Sequence, residues 1–149
     1  AGLDVPRPLA CGDNTILMQY LGEASAPAPT LNEVTLERHE AQRVFERLID
    51  NVARMLALRR VHGDLSAYNV LYWEGKFRII DFPQAIDPLT NRDGYDIFRR
   101  DVRRLCQYFT RYGIRSDPQQ LAADIWQRAQ LLLPTAPEGW EDDLFAKED

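Results

Sequence analysis

Apolar residues recur every three or four positions through Ala41, Val44, Phe45, Leu48, Ile49, Val52, Met55 and Leu56. That is the period of one buried helix face. Ahead of it, Thr30-Leu31-Asn32-Glu33 fits a capping box, with Thr30 as N-cap and Glu33 reaching back. The pattern stops near Arg59-Arg60, where cationic side chains suit a helix C-terminus. A similar pattern through Ile97 or Phe98, Val102, Leu105, Cys106 and Phe109 closes at Tyr112-Gly113, with Gly113 predicted as the C′ residue. Another runs through Leu121, Ile125, Ala129 and Leu132 to Pro134, behind a capping box at Ser116-Asp117-Pro118-Gln119.

Strand signals fill the intervals. Val70-Leu71-Tyr72-Trp73 and Phe77-Arg78-Ile79-Ile80 flank Glu74-Gly75-Lys76, which predicts a hairpin with a short Gly-containing loop. Ile16 to Tyr20 reads as a strand running into a tight connection at Leu21-Gly22. Ser25-Ala26-Pro27-Ala28-Pro29 is a Pro-rich spacer that cannot be helical. The expected fold is therefore α+β: a mainly helical domain carrying one small hairpin and preceded by a strand. An acidic tail, 135–149, follows, with Trp140, Leu144 and Phe145 as residues able to dock it.

Bulk composition narrows this picture only modestly. The chain has 149 residues, enough for one domain with a real core, and is 45% hydrophobic and 28% charged, as in ordinary globular proteins. No apolar run has the length to span a bilayer, and the start AGLDVPRPLACG has no apolar signal core. Cys11 and Cys106 form no ligand-like pair, and Cys106 lies on an apolar helical face. Both are expected to be reduced thiols in a cytoplasmic protein. A net charge of −5 argues against broad nucleic-acid binding. Arg99, Arg100, Arg103, Arg104 and Arg111 concentrate positive charge locally. A solvated face with acidic partners is the expectation, with a docking patch as the alternative.

The chemistry-bearing residues gather around the hairpin. Asp64 lies on the loop before its first strand, Asn69 closes that loop, and Asp81 leaves the second strand. Antiparallel pairing puts the start of one strand and the end of the other at the same end, so Asn69 and Asp81 are expected to be neighbours. An amide oxygen and a carboxylate there are hard ligands suited to Mg²⁺, which keeps waters and substrate phosphates as its other ligands. Asp64 is placed to accept a proton from an attacking hydroxyl or to orient it. The plainer alternative has Asp64 and Asn69 capping a loop and Asn69 and Asp81 satisfying hairpin backbone. His62 is taken as a packed structural residue.

Taken together, His62-Gly63-Asp64-Leu65-Ser66-Ala67-Tyr68-Asn69, the hairpin and Ile80-Asp81-Phe82-Pro83-Gln84 resemble the C-terminal lobe of the protein-kinase-like superfamily, and RIO kinases most closely. The Arg100-Asp101-Val102 helix looks like the one that follows in that family. The second residue after the catalytic Asp is typically Lys in conventional kinases and His in aminoglycoside and choline phosphotransferases. Here it is Ser66, and Pro83-Gln84 stands where a conventional kinase has Gly. Ala136-Pro137-Glu138 lies too far beyond Asp81 to anchor an activation segment.

The resemblance implies ATP- and Mg²⁺-dependent phosphoryl transfer to a protein substrate whose identity is open. Family members act in ribosome maturation, which offers a link by resemblance alone. Asp64 would be the catalytic residue, and Asn69 and Asp81 would hold the metal. Ser66 would join them at the nucleotide, and Met18, Tyr20 and Gly22 would border it as gatekeeper and hinge. For Met18 and Tyr20, plain strand packing is the alternative. The template also needs a phosphate-covering loop and a strand Lys, yet no Lys precedes Lys76. The expected division is 1–22 as the last strand or two of an N-lobe with the hinge, 23–134 as the C-lobe and 135–149 as the tail. The chain is then expected to be the catalytic lobe of a longer protein, inactive alone. A non-catalytic binding module and a small-molecule phosphotransferase are the other functions considered.

Overall fold

The computed structural model describes residues 2–130. Among these, helices α1 (Arg38–Ala57), α2 (Gly94–Phe109) and α3 (Pro118–Gln130) pack on one another and carry the core. Their apolar faces supply Leu48, Leu56, Phe98, Leu105 and Phe109, all nearly or fully buried. Phe45 and Phe109 meet with ring centroids 5.2 Å apart. Gly113, at φ 73°, follows α2 and a short 3₁₀ turn, as the sequence predicts.

Two predicted helix starts differ in detail. The Thr30 box forms, with the Glu33 carboxylate accepting the Thr30 N–H at 2.7 Å, but it opens a 3₁₀ turn, Leu31–Glu33. Val34 then turns extended and α1 begins only at Arg38. Burial explains the detour: Leu31 and Leu36 both enter the core. Tyr108 Oη donates to the Leu31 carbonyl at 2.6 Å, and Tyr112 Oη accepts the Leu36 N–H at 3.3 Å, satisfying backbone groups that a longer helix would have paired internally. At α3 the cap is Asp117 rather than Ser116. Its Oδ1 accepts the N–H groups of Gln119 and Gln120 at 3.0 and 3.1 Å, with Pro118 as first helical residue. Leu132 and Pro134, the Ala136-Pro137-Glu138 stretch and the tail lie outside the described residues.

The described residues hold three antiparallel strand pairs, not one. Strands β5 (Val70–Trp73) and β6 (Lys76–Ile79) form the predicted hairpin, in the register Val70↔Ile79 to Trp73↔Lys76. Its loop is only Glu74-Gly75, both at positive φ, a turn whose twist matches that of the strands. Before it come β1 (Pro8–Cys11) with β2 (Ile16–Met18), and β3 (Gly22–Glu23) with β4 (Ala26–Pro27). The Pro-rich spacer is thus one side of a tight hairpin. Leu9, Ile16 and Leu17 on β1 and β2 are more than half exposed.

The N-terminal segment is clamped onto the helical body. Asn51, fully buried on α1, accepts the Asp4 N–H and donates to the Asp4 carboxylate, both at 2.7 Å. Ile79 N–H donates to the Asp4 carbonyl at 2.8 Å, which lays the segment beside β6. Burial pushes the Asp4 carboxyl up, but the Arg47 and Asn51 bonds outweigh it and hold the group below its ordinary value. Leu3 and Val5, partly buried, pack against the core.

Candidate active site

Val61 to Asn69, between α1 and β5, is held from three sides. Val61 pairs with Ile86 in an isolated antiparallel bridge. Gly63 lies at φ 87°, and a Cβ there would sit 2.2 Å from the Gln84 carbonyl oxygen, so only glycine allows the two loops to touch. From below, the Asp101 carboxylate accepts the N–H of Gly63 at 2.8 Å and of Leu65 at 3.1 Å. Arg100 donates to the Gly63 carbonyl. Asp101 is 2% exposed; burial pushes its carboxyl above the ordinary value, while the two backbone donors pull partly back.

His62 links this loop to the end of β6. It is buried, its Nδ1 accepts the Asp64 N–H at 3.2 Å, and its Nε2 meets the Ile80 carbonyl at 2.9 Å. These partners assign the ring proton to Nε2, and the ring packs on Phe82 at 4.7 Å. That matches the structural role expected of this histidine.

The candidate side chains then fall into place. Ser66 Oγ accepts the Tyr68 N–H at 3.3 Å and caps the turn Ala67–Asn69. Asn69 Nδ2 donates to the Asp64 carbonyl at 2.7 Å and approaches the Asp64 carboxylate at 3.3 Å, which turns its amide oxygen away from Asp64. The Asn69 carbonyl accepts the Ile80 N–H at 2.9 Å, so Asn69 and the start of the Asp81 turn are neighbours. Asp81 is exposed and sits at φ 68°. That left-handed conformation is unfavourable for a non-glycine residue, though Asp tolerates it better than most.

Asp81 also lines a cleft of about 670 Å³, together with Val5, Ile16, Met18, Ile79 and Phe82 among others. A largely apolar cleft of that size with a carboxylate in its wall suits a flat heteroaromatic ligand with a polar substituent. Met18 lines it; Tyr20 and Gly22 are not among its lining residues. Tyr20 is 61% exposed and donates to the Glu23 carbonyl at 2.7 Å. Gly22 is required by the β3–β4 crossing, where a Cβ would lie 2.5 Å from the Ala28 nitrogen. A second cleft, of about 410 Å³, lies at the opposite, turn end of the hairpin and is lined by Arg43, Arg47, Lys76 and Arg78 with Asp4.

As for a metal, no group of three or more His, Cys, Asp or Glu side chains is gathered among the described residues. The donors present, Asn69 and Asp81 with Asp64 alongside, are all oxygen. A short oxygen set fits Mg²⁺, which takes its remaining ligands from phosphates and water, and fits zinc poorly.

Two contacts were not anticipated from sequence. Asp101 had a signal: it is an acid on the apolar face shared by Phe98, Val102 and Leu105, a position where a charge needs a dedicated partner. The 2.9 Å pair between Arg104 Nη1 and Asp64 Oδ1 had none. Of the other cations in this cluster, Arg99 pairs with Asp96 as a solvated face would have it, Arg100 bonds the Gly63 carbonyl, and Arg111, in the 3₁₀ turn after α2, lies over the Tyr108 ring.

Comparison with known proteins agrees with this geometry. A family model described as the RIO domain matches residues 1–121. The chain is 33% identical over 121 residues to the RIO-type serine/threonine-protein kinase Rio1 of Thermoplasma acidophilum, covering 81% of this chain and 62% of that one. It is 30% identical over 116 residues to human serine/threonine-protein kinase RIO3, covering 77% and 22%. For the Rio2 kinase of Methanocaldococcus jannaschii the figures are 30% over 121 residues, 80% and 44%. The chain thus spans under two thirds of each of these relatives. The matched segment contains the anchored loop, the hairpin and the Asp81 exit, and on this ground the chain belongs to the RIO-type kinase family.

Proposed function

We propose that this chain is the catalytic lobe of an ATP- and Mg²⁺-dependent serine/threonine protein kinase or ATPase. The observation that carries the proposal is the apolar cleft lined by Ile80 and Asp81, with Asn69, whose carbonyl takes the Ile80 N–H, tied to the Asp64 carboxylate. Met18 would border the adenine, with Tyr20 and Gly22 as the hinge following it. Asn69 and Asp81 would hold Mg²⁺, whose charge, when bound, offsets that of the phosphates in transit. Ser66 would face the nucleotide from the capped turn. Asp64 would orient the attacking hydroxyl and accept its proton, since its carboxylate is partly exposed and backed by Asn69. The exposed apolar residues of β1 and β2, Leu9 and Leu17 among them, are where the phosphate-covering lobe of the complete protein would dock, and two free cysteines suit a cytoplasmic setting.

The test is Asp81→Asn in the complete protein. It should abolish ATP turnover and leave thermal melting unchanged, because the substitution falls on an exposed loop. Undiminished turnover at saturating Mg²⁺ would remove the assignment. Tight ATP binding by a wild-type protein that never turns it over would favour the non-catalytic module.

A further inference from the structure

We infer that Arg104 is a positioning residue for Asp64, an assignment that rests on the phosphoryl-transfer proposal above. Three residues from two adjacent turns of α2 grip three consecutive loop residues. Arg100 bonds the Gly63 carbonyl, Asp101 bonds the Gly63 and Leu65 N–H groups, and Arg104 Nη1 reaches Asp64 Oδ1 at 2.9 Å. Arg104 lies four residues beyond Arg100 and three beyond Asp101, which makes it a surface neighbour of both. Asp64 Oδ2, meanwhile, faces Asn69 Nδ2 at 3.3 Å. Each carboxylate oxygen therefore has a donor from a different element, which fixes the plane of the group as well as its position.

The pair is not a folding device. Its side chains are 37% and 41% exposed, and ion pairs that open to water contribute little to stability. The exposed edge is instead the one a phosphate-accepting hydroxyl would approach. Ser66, two residues beyond Asp64, carries no charge, so a cation beside this carboxylate has to come from another element. Arg104 supplies it from α2.

The experiment is steady-state kinetics on the complete protein with Arg104→Gln, Arg104→Lys, Asp64→Asn and the double variant Arg104→Gln/Asp64→Asn. Arg104→Gln should lower kcat at least ~10-fold with KM for ATP changed less than ~2-fold, as expected when a reacting group is misaligned rather than substrate lost. Arg104→Lys should recover most of the rate, and melting temperature should not move. In the Asp64→Asn background, Arg104→Gln should subtract nothing further, because the group it positions is already gone. Unchanged or faster turnover in Arg104→Gln, with wild-type turnover intact, would overturn the role of Arg104 alone. An additive loss in the double variant would do the same, since Arg104 would then act on something other than Asp64. A wild-type protein devoid of ATP turnover would overturn the phosphoryl-transfer proposal and this one together.

Discussion

Replacing Asp101 with Asn keeps the side chain's shape and removes its charge, so it isolates what the carboxylate does under the loop. Both oxygens of Asp101 accept backbone N–H groups, from Gly63 at 2.8 Å and from Leu65 at 3.1 Å, at a site only 2% exposed. An amide presents one oxygen and one NH₂, so one backbone donor must face another donor. A buried donor left unpaired costs about 1–3 kcal/mol, and a bond to a charged acceptor is worth about 1.5–3 kcal/mol. Relief from burying a charge offsets part of this, giving about 2 kcal/mol net. For a domain of this size that lowers Tm by roughly 4–8 °C. The pH dependence adds a sign. The folded-state pKa of Asp101 is raised by burial; the folded protein therefore binds this proton more tightly than the unfolded chain does. The group's contribution is full below the ordinary carboxylate pKa and falls as pH rises through the raised value. Asn does not titrate, so the stability gap between wild type and Asp101→Asn should narrow as pH rises from the acid side toward neutrality. Urea melts across that interval measure it. A gap that widens with pH, or a variant as stable as wild type throughout, would refute this account of the anchor.

Gly63→Ala should destabilise more than Asp101→Asn, by at least ~3 kcal/mol, because the new methyl meets backbone at a positive φ where nothing flexible can yield; thermal melting reads it. Asp64→Ala in the complete protein should bind ATP and Mg²⁺ as before yet turn over at least ~10²-fold more slowly, whereas loss of melting and of ATP binding together would make Asp64 a structural loop residue. Asn69→Ala should instead raise the Mg²⁺ concentration needed for half-maximal rate as well as lowering that rate, because its amide oxygen is assigned to the ion; an unchanged Mg²⁺ requirement would refute that assignment.

The helices and the β5–β6 hairpin were legible in the sequence because each advertises itself locally. The 3.6-residue periodicity of α1, the Gly113 terminator of α2 and the Glu74-Gly75 turn need no tertiary information. Strands β1, β3 and β4 were not, since they have only two to four residues, and Pro8 and Pro27 stand inside two of them. Thr30 misplaced the start of α1 because a capping box looks the same whether a 3₁₀ turn or an α-helix follows. Only the burial of Leu31 and Leu36 decides, and burial is a property of the whole fold. In the candidate site, the neighbourhood of Asn69 and Asp81 followed from strand polarity alone. Asp4 with Asn51 and Asp64 with Arg104 did not, because their partners are 47 and 40 residues away in the chain and no local signal marks either end.

What sets Asp64 against Asp81 is main chain rather than direct contact between the two acids. Ile80 is held twice, its N–H on the Asn69 carbonyl and its carbonyl on His62 Nε2. His62 in turn takes the Asp64 N–H, and α2 fixes the loop around it through Asp101. Ile80 thus has little freedom, and the chain can leave β6 only by turning sharply. The left-handed φ of Asp81 is the consequence, at a cost of about 1 kcal/mol that the paired backbone on either side absorbs. An extended residue 81 would project its side chain to one face of the hairpin; with the turn, the Asp81 carboxylate is exposed and lines the same cleft as Met18. A buried histidine and a buried aspartate, neither of which would touch substrate, are therefore what hold the partly exposed Asp64 and the exposed Asp81 at the same end of the hairpin.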